Sequence, residues 1–283
     1  MNSPIQLTAV SEQYVDPNDK RKREARARRL AKRAEVLAGE GRVDEAIECQ
    51  SALVDMRPDD AGAVLRLGLL YREARHIDAA VHAFRHASNL SPAFCDPREA
   101  LIETLLDSSQ FDDAIVEGKE LLRVAPRNVF ARDVLSIAYL HIGKTDKALH
   151  MATEMTRLDP LNPNHHFKRA LLLQQCGEIG SAFAEYARTR DLAVPGSEIY
   201  ADALDAIDAL DEYQLHQILL LATEDWDFNH QLCANPELAV QSRGFTLSED
   251  AMGRAQGLAQ EELPERVAGH TMLSAWGGVK FYN

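Results

Sequence analysis

A period of 34 residues constrains this sequence more than any other feature. Proline recurs at that interval, at Pro58, Pro92, Pro126 and Pro160. The same interval separates the alanines Ala46, Ala80, Ala114, Ala148 and Ala182, and the aspartates Asp44, Asp78, Asp112 and Asp146. Three registers that share one period indicate that a single structural unit is repeated along the chain.

Each repeat has the pattern of two short helices. In residues 61–94 the first helix is indicated by apolar side chains at helical spacing, Val64, Leu67 and Tyr71. The second is indicated by Ala80, Phe84 and Ala87. Pro92 is predicted to end it, because proline lacks an N–H and its ring clashes with the preceding turn. Gly68 is predicted to lie where the partner helix approaches closely. Since so small a hairpin cannot bury its own apolar stripe, consecutive copies are expected to stack.

These registers resemble those of the tetratricopeptide repeat family, whose unit is a helical hairpin of about 34 residues. The resemblance implies an all-α fold over residues 27–196, a right-handed solenoid of five hairpins at 27–60, 61–94, 95–128, 129–162 and 163–196. Residues 197–223 are interpreted as a decayed sixth unit of two helices that caps the stack. The composition favours helices as well, because alanine and leucine dominate and only 6% of the residues are aromatic.

Charge is distributed unevenly along the chain. A basic N-terminal arm or helix is predicted at residues 1–26, and the segment 20–33 holds nine Lys or Arg against the single acid Glu24. The rest of the chain, with 22 basic and 43 acidic side chains, has a net charge of −21. The basic segment is interpreted either as a patch for RNA, membrane or an acidic partner, or as a solvated helix attracted to the protein's own acidic surface. Binding of single-stranded nucleic acid is disfavoured, because no aromatic side chains are interleaved with the charges.

The resemblance also implies a partner-binding groove, because the first helices of such repeats line a concave surface. The positions concerned hold an apolar strip, Leu65, Leu69, Phe130, Ile137, Leu140, Phe167 and Leu171. Beside it stand the acidic residues Glu99, Glu103 and Asp133. This surface suits an amphipathic helix or a basic, aromatic peptide. The alternative is that the strip widens the core or is covered by the C-terminal part of the chain.

Sequence motifs of catalysis are absent. There is no glycine-rich phosphate loop, nucleophile elbow or H-E-x-x-H arrangement. His82 and His86 would share a helical face, and His165 and His166 follow later, but no third ligand stands at helical spacing beside the first pair. Solvated surface histidines are therefore expected at 82 and 86 rather than a metal site. We predict no enzyme activity, no metal and no cofactor.

Residues 224–262 lose the period and are predicted to form short helices. We expect a break at Asn235–Pro236 and a capping box, Thr246 with Glu249, at the start of the last helix. The segment resembles leader regions of ribosomally synthesised, post-translationally modified peptides. That resemblance rests on Trp226, Phe228, Leu232, Asn235, Pro236, Phe245 and Leu247. It implies recognition by a peptide-tailoring enzyme, and the alternative is a C-terminal cap or lid.

The segment 263–283 is predicted to be a flexible tail. It ends with Trp276, Gly277, Gly278, Lys280, Phe281, Tyr282 and Asn283. The leader resemblance implies that these residues are modified by an enzyme bound elsewhere on the chain, at raised effective concentration. The protein would then be a non-catalytic scaffold that presents its tail as a substrate. The alternatives are a tail that anchors itself in the groove or on a partner, and a general adaptor that mediates protein assembly.

The cysteines and the hydropathy bear on location. Cys49, Cys95, Cys176 and Cys233 are scattered, which suits reduced, buried small hydrophobes better than disulfides or zinc. The sequence has no apolar run long enough to span a membrane and no secretion signal. A cytoplasmic location is therefore predicted.

Overall fold

The computed structural model describes residues 17–261 of the chain. Residues 1–16 of the predicted basic arm lie outside the described residues, and so does the predicted tail at 263–283 with its aromatic end. Within 17–261 every regular element is an α-helix, as the sequence predicts. None of these helices is both long and apolar enough to cross a membrane. The chain divides into two compact units between Ile142 and Gly143.

Seven described helices form the first unit. They are α1 (Pro17–Gly39), α2 (Val43–Met56), α3 (Ala61–Glu73), α4 (Ile77–Leu90), α5 (Asp96–Asp107), α6 (Phe111–Val124) and α7 (Val129–His141). Each packs against the next in the chain. In addition, α5 contacts both α3 and α7, so the first helices of three successive hairpins lie side by side.

The second unit also contains seven described helices. They are α8 (Thr145–Leu158), α9 (Pro163–Gln175), α10 (Ile179–Leu192), α11 (Glu198–Glu224), α12 (Trp226–Ala234), α13 (Pro236–Ser242) and α14 (Glu249–Glu261). Helices α8 to α11 pack successively, and α12, α13 and α14 pack on one another and on α11.

The period of the sequence fixes both ends of the second helix in each hairpin. The five periodic alanines are all buried, and the periodic aspartates lie in the first turns of α2, α4, α6 and α8. A negative charge is favoured there by the helix dipole. The last residues of α2, α4, α6, α8 and α10 are likewise 34 apart: Met56, Leu90, Val124, Leu158 and Leu192. The predicted helical-hairpin architecture is confirmed.

Among α3, α5, α7 and α9, the helix starts follow the same register with one exception. Asp60, Asn128 and Asn162 each accept a hydrogen bond from a main-chain N–H in the first turn, and so cap α3, α7 and α9. The remaining residue of this register is Phe94, whose side chain has no acceptor. Accordingly α5 begins one residue later in its repeat, at Asp96.

The turn inside each hairpin places one residue in the left-handed region of backbone conformation. Residues 41, 75, 109, 143 and 177 are 34 apart, and all have φ between 58° and 79°. Gly41, Gly143 and Gly177 adopt this conformation at little cost. Arg75 and Ser109 do not, because a Cβ in this region lies too close to the following carbonyl oxygen. The second and third hairpins therefore each contain a strained turn residue.

Relieving this strain is expected to stabilise the protein. Arg75→Gly or Ser109→Gly should each raise the free energy of unfolding by about 0.5–1 kcal/mol, because the released strain of about 1–2 kcal/mol is partly offset by the greater freedom of the unfolded chain. The matched change Gly143→Ala should lower it by about 1 kcal/mol. Urea unfolding followed by circular dichroism measures all three. A loss of stability at Arg75→Gly as large as that at Gly143→Ala would contradict this account of the turns.

Two predicted boundaries fall inside continuous helices. Helix α1 runs across the predicted limit between arm and first repeat at residue 26. The region 197–223, predicted as two helices, is instead the single 27-residue helix α11. The reason is visible in the sequence, since no glycine or proline occurs between Pro17 and Gly39, or between Ser197 and Asn235.

Two further details differ from the predictions. Ser248, rather than Thr246, caps α14, because Ser248 Oγ accepts the N–H of Ala251 at 3.2 Å. The four cysteines are free, but Cys176 and Cys233 are exposed, and Cys49 and Cys95 are only partly buried. The prediction of buried small hydrophobes is therefore wrong for Cys176 and Cys233, whereas Cys49 and Cys95 pack partly buried against core clusters.

The helices α12 to α14 are held on the C-terminal half of α11 by apolar contacts. Ile218 and Ala222 of α11 form a buried cluster with Phe228, Leu232, Ala239 and Val240. One turn earlier, Leu215 packs against Ala251 and Ala255 of α14. We call the assembly of α12, α13, α14 and this half of α11 the C-terminal cluster.

Two buried polar side chains of α11 fix the loop before α14. Gln214 Nε2 donates to the carbonyl oxygen of Thr246 at 2.7 Å, and the N–H of Thr246 donates to Gln214 Oε1 at 2.8 Å. The N–H of Ser248 donates to Asp211 Oδ1 at 3.0 Å. Burial raises the pKa of Asp211, and the hydrogen bonds from Ser248 oppose that shift. Because main-chain groups satisfy both side chains, the loop is bound to α11 by polar as well as apolar contacts.

Candidate partner-binding surface

The first helices of the first unit share an exposed surface with apolar side chains. Leu69, Glu103 and Ile137 hold the same position in three successive repeats, on α3, α5 and α7. Leu69 is 37% exposed, Ile137 is 38% exposed, and Leu140, about one turn after Ile137, is 36% exposed. Together with Arg72 on α3, these side chains are called the first-helix surface below.

An ion pair joins two helices of the first-helix surface. Arg72 Nη1 donates to Glu103 Oε2 at 2.9 Å. Roughly a third of the arginine side chain and half of the glutamate side chain are exposed, so the pair is worth no more than about 1 kcal/mol. Either side chain can therefore exchange its partner for an opposite charge on a ligand. Sequence reasoning did not select Arg72, although it stands two periods before the selected Leu140.

Other predicted groove residues of this unit are partly buried. Leu65 and Phe130 pack against the main core cluster of the unit, and Asp133 is half-buried. Glu99 accepts a hydrogen bond from Asn128 Nδ2 at 2.7 Å, and so orders the residue that caps α7. Leu65, Phe130 and Glu99 therefore hold elements of the unit together, whereas Asp133 is half-buried on α7.

The predicted groove residues of the second unit divide in the same way. Leu171 on α9 is exposed, whereas Phe167 packs edge-on against Tyr186, with ring centroids 5.4 Å apart. Tyr186 Oη donates to Gln174 Oε1 at 2.8 Å, and burial raises the pKa of Tyr186 to about 12. This phenol is therefore neutral and structural at physiological pH.

The leader-like residues are distributed between the core and the surface. Phe228 and Leu232 are buried in the C-terminal cluster, and the Arg243 guanidinium lies 5.4 Å from the centroid of the Phe228 ring. Phe245 and Leu247 are partly buried against the same cluster. Asn235 caps α13, which begins at Pro236. Trp226 is 72% exposed, and it is the large apolar side chain of the seven that stands open to solvent.

The histidines singled out in the sequence differ in their surroundings, and His165 is buried with no hydrogen-bond partner for its Nδ1 among the described residues. His82 and His86 are exposed on α4. His166 Nδ1 lies 2.8 Å from Glu185 Oε2, and its Nε2 lies 3.0 Å from the carbonyl oxygen of Pro160, so both ring nitrogens already have partners. In the part of the chain that the structure describes, no three His, Cys, Asp or Glu side chains are grouped so that they could hold a metal ion.

Comparisons with known proteins identify the repeat. Residues 61–94 match the family described as Tetratricopeptide repeat. Over 77 residues the chain is 36% identical to the human Tetratricopeptide repeat protein 28, and this match covers 27% of the chain but only 3% of that protein. The chain thus corresponds to a small fraction of the curated relative that it matches.

Two solved structures are similar over nearly all of their own length. MamA 41-end from Desulfovibrio magneticus RS-1 is 17% identical, with a TM-score of 0.53, and the match covers 59% of this chain and 94% of that one. The fold is that of tetratricopeptide-repeat proteins. YrrB, a TPR protein with an unusual peptide-binding site, is 16% identical with a TM-score of 0.53, over 67% of this chain and 98% of YrrB. The TPR fold accounts for the adjacent first helices on which the first-helix surface lies.

Proposed function

We propose that this protein is a TPR adaptor that binds a protein or peptide partner on the first-helix surface. The observation that carries the proposal is the exposure of Leu69, Ile137 and Leu140 on adjacent helices whose other apolar side chains are mostly buried. Exposed apolar side chains at the centre of a surface are typical of binding sites. The peptide-binding site of YrrB, which shares the fold, supports this choice. The proposed role is non-catalytic, and the location stays predicted as the cytoplasm.

The chemistry of the surface favours an amphipathic helix as the ligand. Leu69 and Ile137 would receive apolar side chains spaced at helical intervals. Glu103 lies between them in the register, and a Lys or Arg of the ligand could replace Arg72 as its partner. Arg72 would then be available for a carboxylate of the ligand. An apolar face flanked by both charges is therefore the expected feature of the partner.

Site-specific photo-crosslinking in the source cells tests this proposal. A photoreactive phenylalanine analogue is placed at Leu69 or Ile137, and in a matched control at Val116, an apolar residue on α6 that is 58% exposed. We expect discrete crosslinked products at 69 and 137 and none at 116, because only the first two lie on the proposed surface. Mass spectrometry then identifies the peptide of the partner that is crosslinked.

Affinity for that crosslinked peptide gives the second measurement. Leu69→Asp and Ile137→Asp should each weaken binding about tenfold or more, since a central interface residue contributes about 1–2 kcal/mol or more. Val116→Asp should leave the affinity unchanged. Equal crosslinking at all three positions, or equal affinity for all three aspartate variants, would disprove a binding role for the first-helix surface.

A second proposal is that the C-terminal tail is the substrate of a peptide-tailoring enzyme. The exposed Trp226 and the 62% exposed Leu238 favour it, because they offer such an enzyme an apolar patch on the C-terminal cluster. Mass spectrometry of the full chain, expressed with the enzymes encoded beside it, tests the idea. A mass change confined to residues 270–283 would support it, and an unmodified tail would refute it.

A further inference from the structure

The basic face of α1 forms no direct ion pair within the described chain, although Arg33, after Arg42, helps to lower the pKa of Glu45. Its exposed cations are Arg21, Lys22, Arg23, Arg26, Arg28, Arg29, Lys32 and Arg33. None of the eight forms an ion pair with a carboxylate among residues 17–261, whereas Arg42, just after α1, pairs with both Glu40 and Glu45. The helix is held to its neighbours by buried side chains that include Ala27, Ala34 and Leu37. The attraction to the protein's own acidic surface, which the sequence left open, is therefore not formed as ion pairs there.

The basic face includes an open depression with an apolar floor. Arg29, Lys32 and Arg33, with the paired Glu40 and Arg42, stand around Val36 and Leu37, and the depression has a volume of about 400 Å³. Val36 is 50% exposed. Because α1 is the first described helix of the repeat array, this is the side on which a preceding helix would stack in a longer array. The surface thus combines positive charge with exposed apolar area.

An acidic face of the same kind lies on α11 in the second unit. Glu198, Asp202, Asp205 and Asp208 are exposed on its N-terminal half, with the small side chains of Ala201 and Ala209 between them. These four acids also form no ion pair among the described residues. The C-terminal cluster covers the other half of α11 and leaves this face open.

The two faces match in length and in charge spacing. Lys22, Arg26, Arg29 and Arg33 form a straight stripe over about 16 Å of α1, at a rise of about 1.5 Å per residue. The acidic residues Glu198 to Asp208 extend over about 15 Å of α11 by the same measure. We propose that the basic face of α1 in one copy of the chain docks on the acidic face of α11 in a second copy. Such an interface joins unlike surfaces, so it can propagate head to tail.

A second copy fits the basic face better than RNA or an anionic membrane does. The segment 20–33 contains no aromatic side chain on which a base could stack. The rest of the chain has a net charge of −21 and repels an extended polyanion. The acidic face of another copy, by contrast, brings opposite charge on one helix of matching length, and its alanines allow close approach.

Charge reversal on the full-length protein tests the inference. The basic-face variant is Arg26→Glu with Arg29→Glu, and the acidic-face variant is Asp202→Lys with Asp205→Lys. Sedimentation velocity is recorded at about 50 mM salt, where charge interactions have a longer range, and at about 500 mM salt, where they have a shorter range. We expect wild type to assemble at low salt and to dissociate at high salt. Each variant alone should associate at least about tenfold more weakly, and an equimolar mixture of the two should regain association, because reversed charges then face each other.

A control variant distinguishes the loss of docking from the effects of altered net charge and of misfolding. Lys119→Glu with Arg127→Glu alters the net charge as much as the basic-face variant does, at exposed positions on α6 and in the loop after it. This control should assemble as wild type does, and circular dichroism should show all variants folded. Monomeric wild type at low salt would overturn the proposal, and so would a mixture that does not regain association. Salt-sensitive binding of the monomer to RNA or to anionic vesicles, lost in the basic-face variant, would assign the basic face to a polyanion instead.

Discussion

Replacing Phe84 with alanine is expected to lower the free energy of unfolding by about 3–5 kcal/mol. Phe84 is fully buried in the main core of the first unit, where it packs with Leu101 and Leu105 of the next hairpin. The substitution removes the apolar contact area and leaves a cavity between two hairpins, which close packing cannot easily refill. Urea unfolding monitored by circular dichroism gives the magnitude.

Gly68 supplies the partner experiment for Phe84. A Cβ at position 68 would lie 2.5 Å from a ring carbon of Phe84, so Gly68→Ala is expected to cost about 1–3 kcal/mol through overpacking. In the double variant the new methyl group enters the space that the ring has left. The two costs should therefore sum to clearly more than the cost of the double variant. Additive costs would contradict the close contact between this glycine and the ring.

The second large effect is expected in the C-terminal cluster. Phe228→Ala should destabilise the second unit by about 3–5 kcal/mol, because the ring is fully buried against α11. The matched variant Trp226→Ala, only two residues earlier and 72% exposed, should change stability by no more than about 0.5 kcal/mol. Thermal and urea unfolding of the two variants measure the difference.

This pair of variants also separates folding from recognition in the leader-like segment. If a tailoring enzyme contacts Trp226, Trp226→Ala loses modification while the protein stays folded. Loss of modification in Phe228→Ala alone would follow from local unfolding and would carry no information on recognition. Equal destabilisation by the two substitutions would mean that the indole, too, belongs to the core.

The periodic residues predicted the hairpins because each of them meets a packing or helix-end requirement that recurs in every repeat. A small side chain is needed where two helices cross, and Ala80 and its equivalents provide it. Gly68 and Phe84 were predicted as a close approach and a filler, and the structure confirms both roles. The period thus carried packing information as well as helix positions.

Non-periodic features were harder to predict from the sequence. A left-handed turn residue can be expected at Gly41 and Gly143 but not at Arg75 and Ser109, whose residue types do not favour that conformation. At these two positions the surrounding fold imposes it. The cap of α14 was placed at Thr246 by a local pattern. The contacts of that residue's main chain with Gln214, 32 positions earlier, are non-local and override it.

The candidate surface could be predicted only in part. The register selected Leu69, Ile137 and Leu140, and these first-helix residues are exposed. It could not show that Leu65 and Phe130, which stand four and seven positions before Leu69 and Ile137, turn toward the core. Those positions lie at the border between two faces of a helix, where the size of the side chain and the neighbouring helix decide the direction. A binding role for the surface stays a prediction.

The length of α11 has a consequence for any shortened form of the protein. Ile207 and Leu210 of this helix belong to the cluster that closes the last hairpin, while Ile218 and Ala222 belong to the cluster around Phe228. A single continuous helix of about 40 Å, at about 1.5 Å per residue, therefore contributes to two successive hydrophobic cores. A chain truncated after Glu224 would keep α11 but would expose Ile218 and Ala222 to solvent. The natural stopping point for a truncated protein is the end of α14.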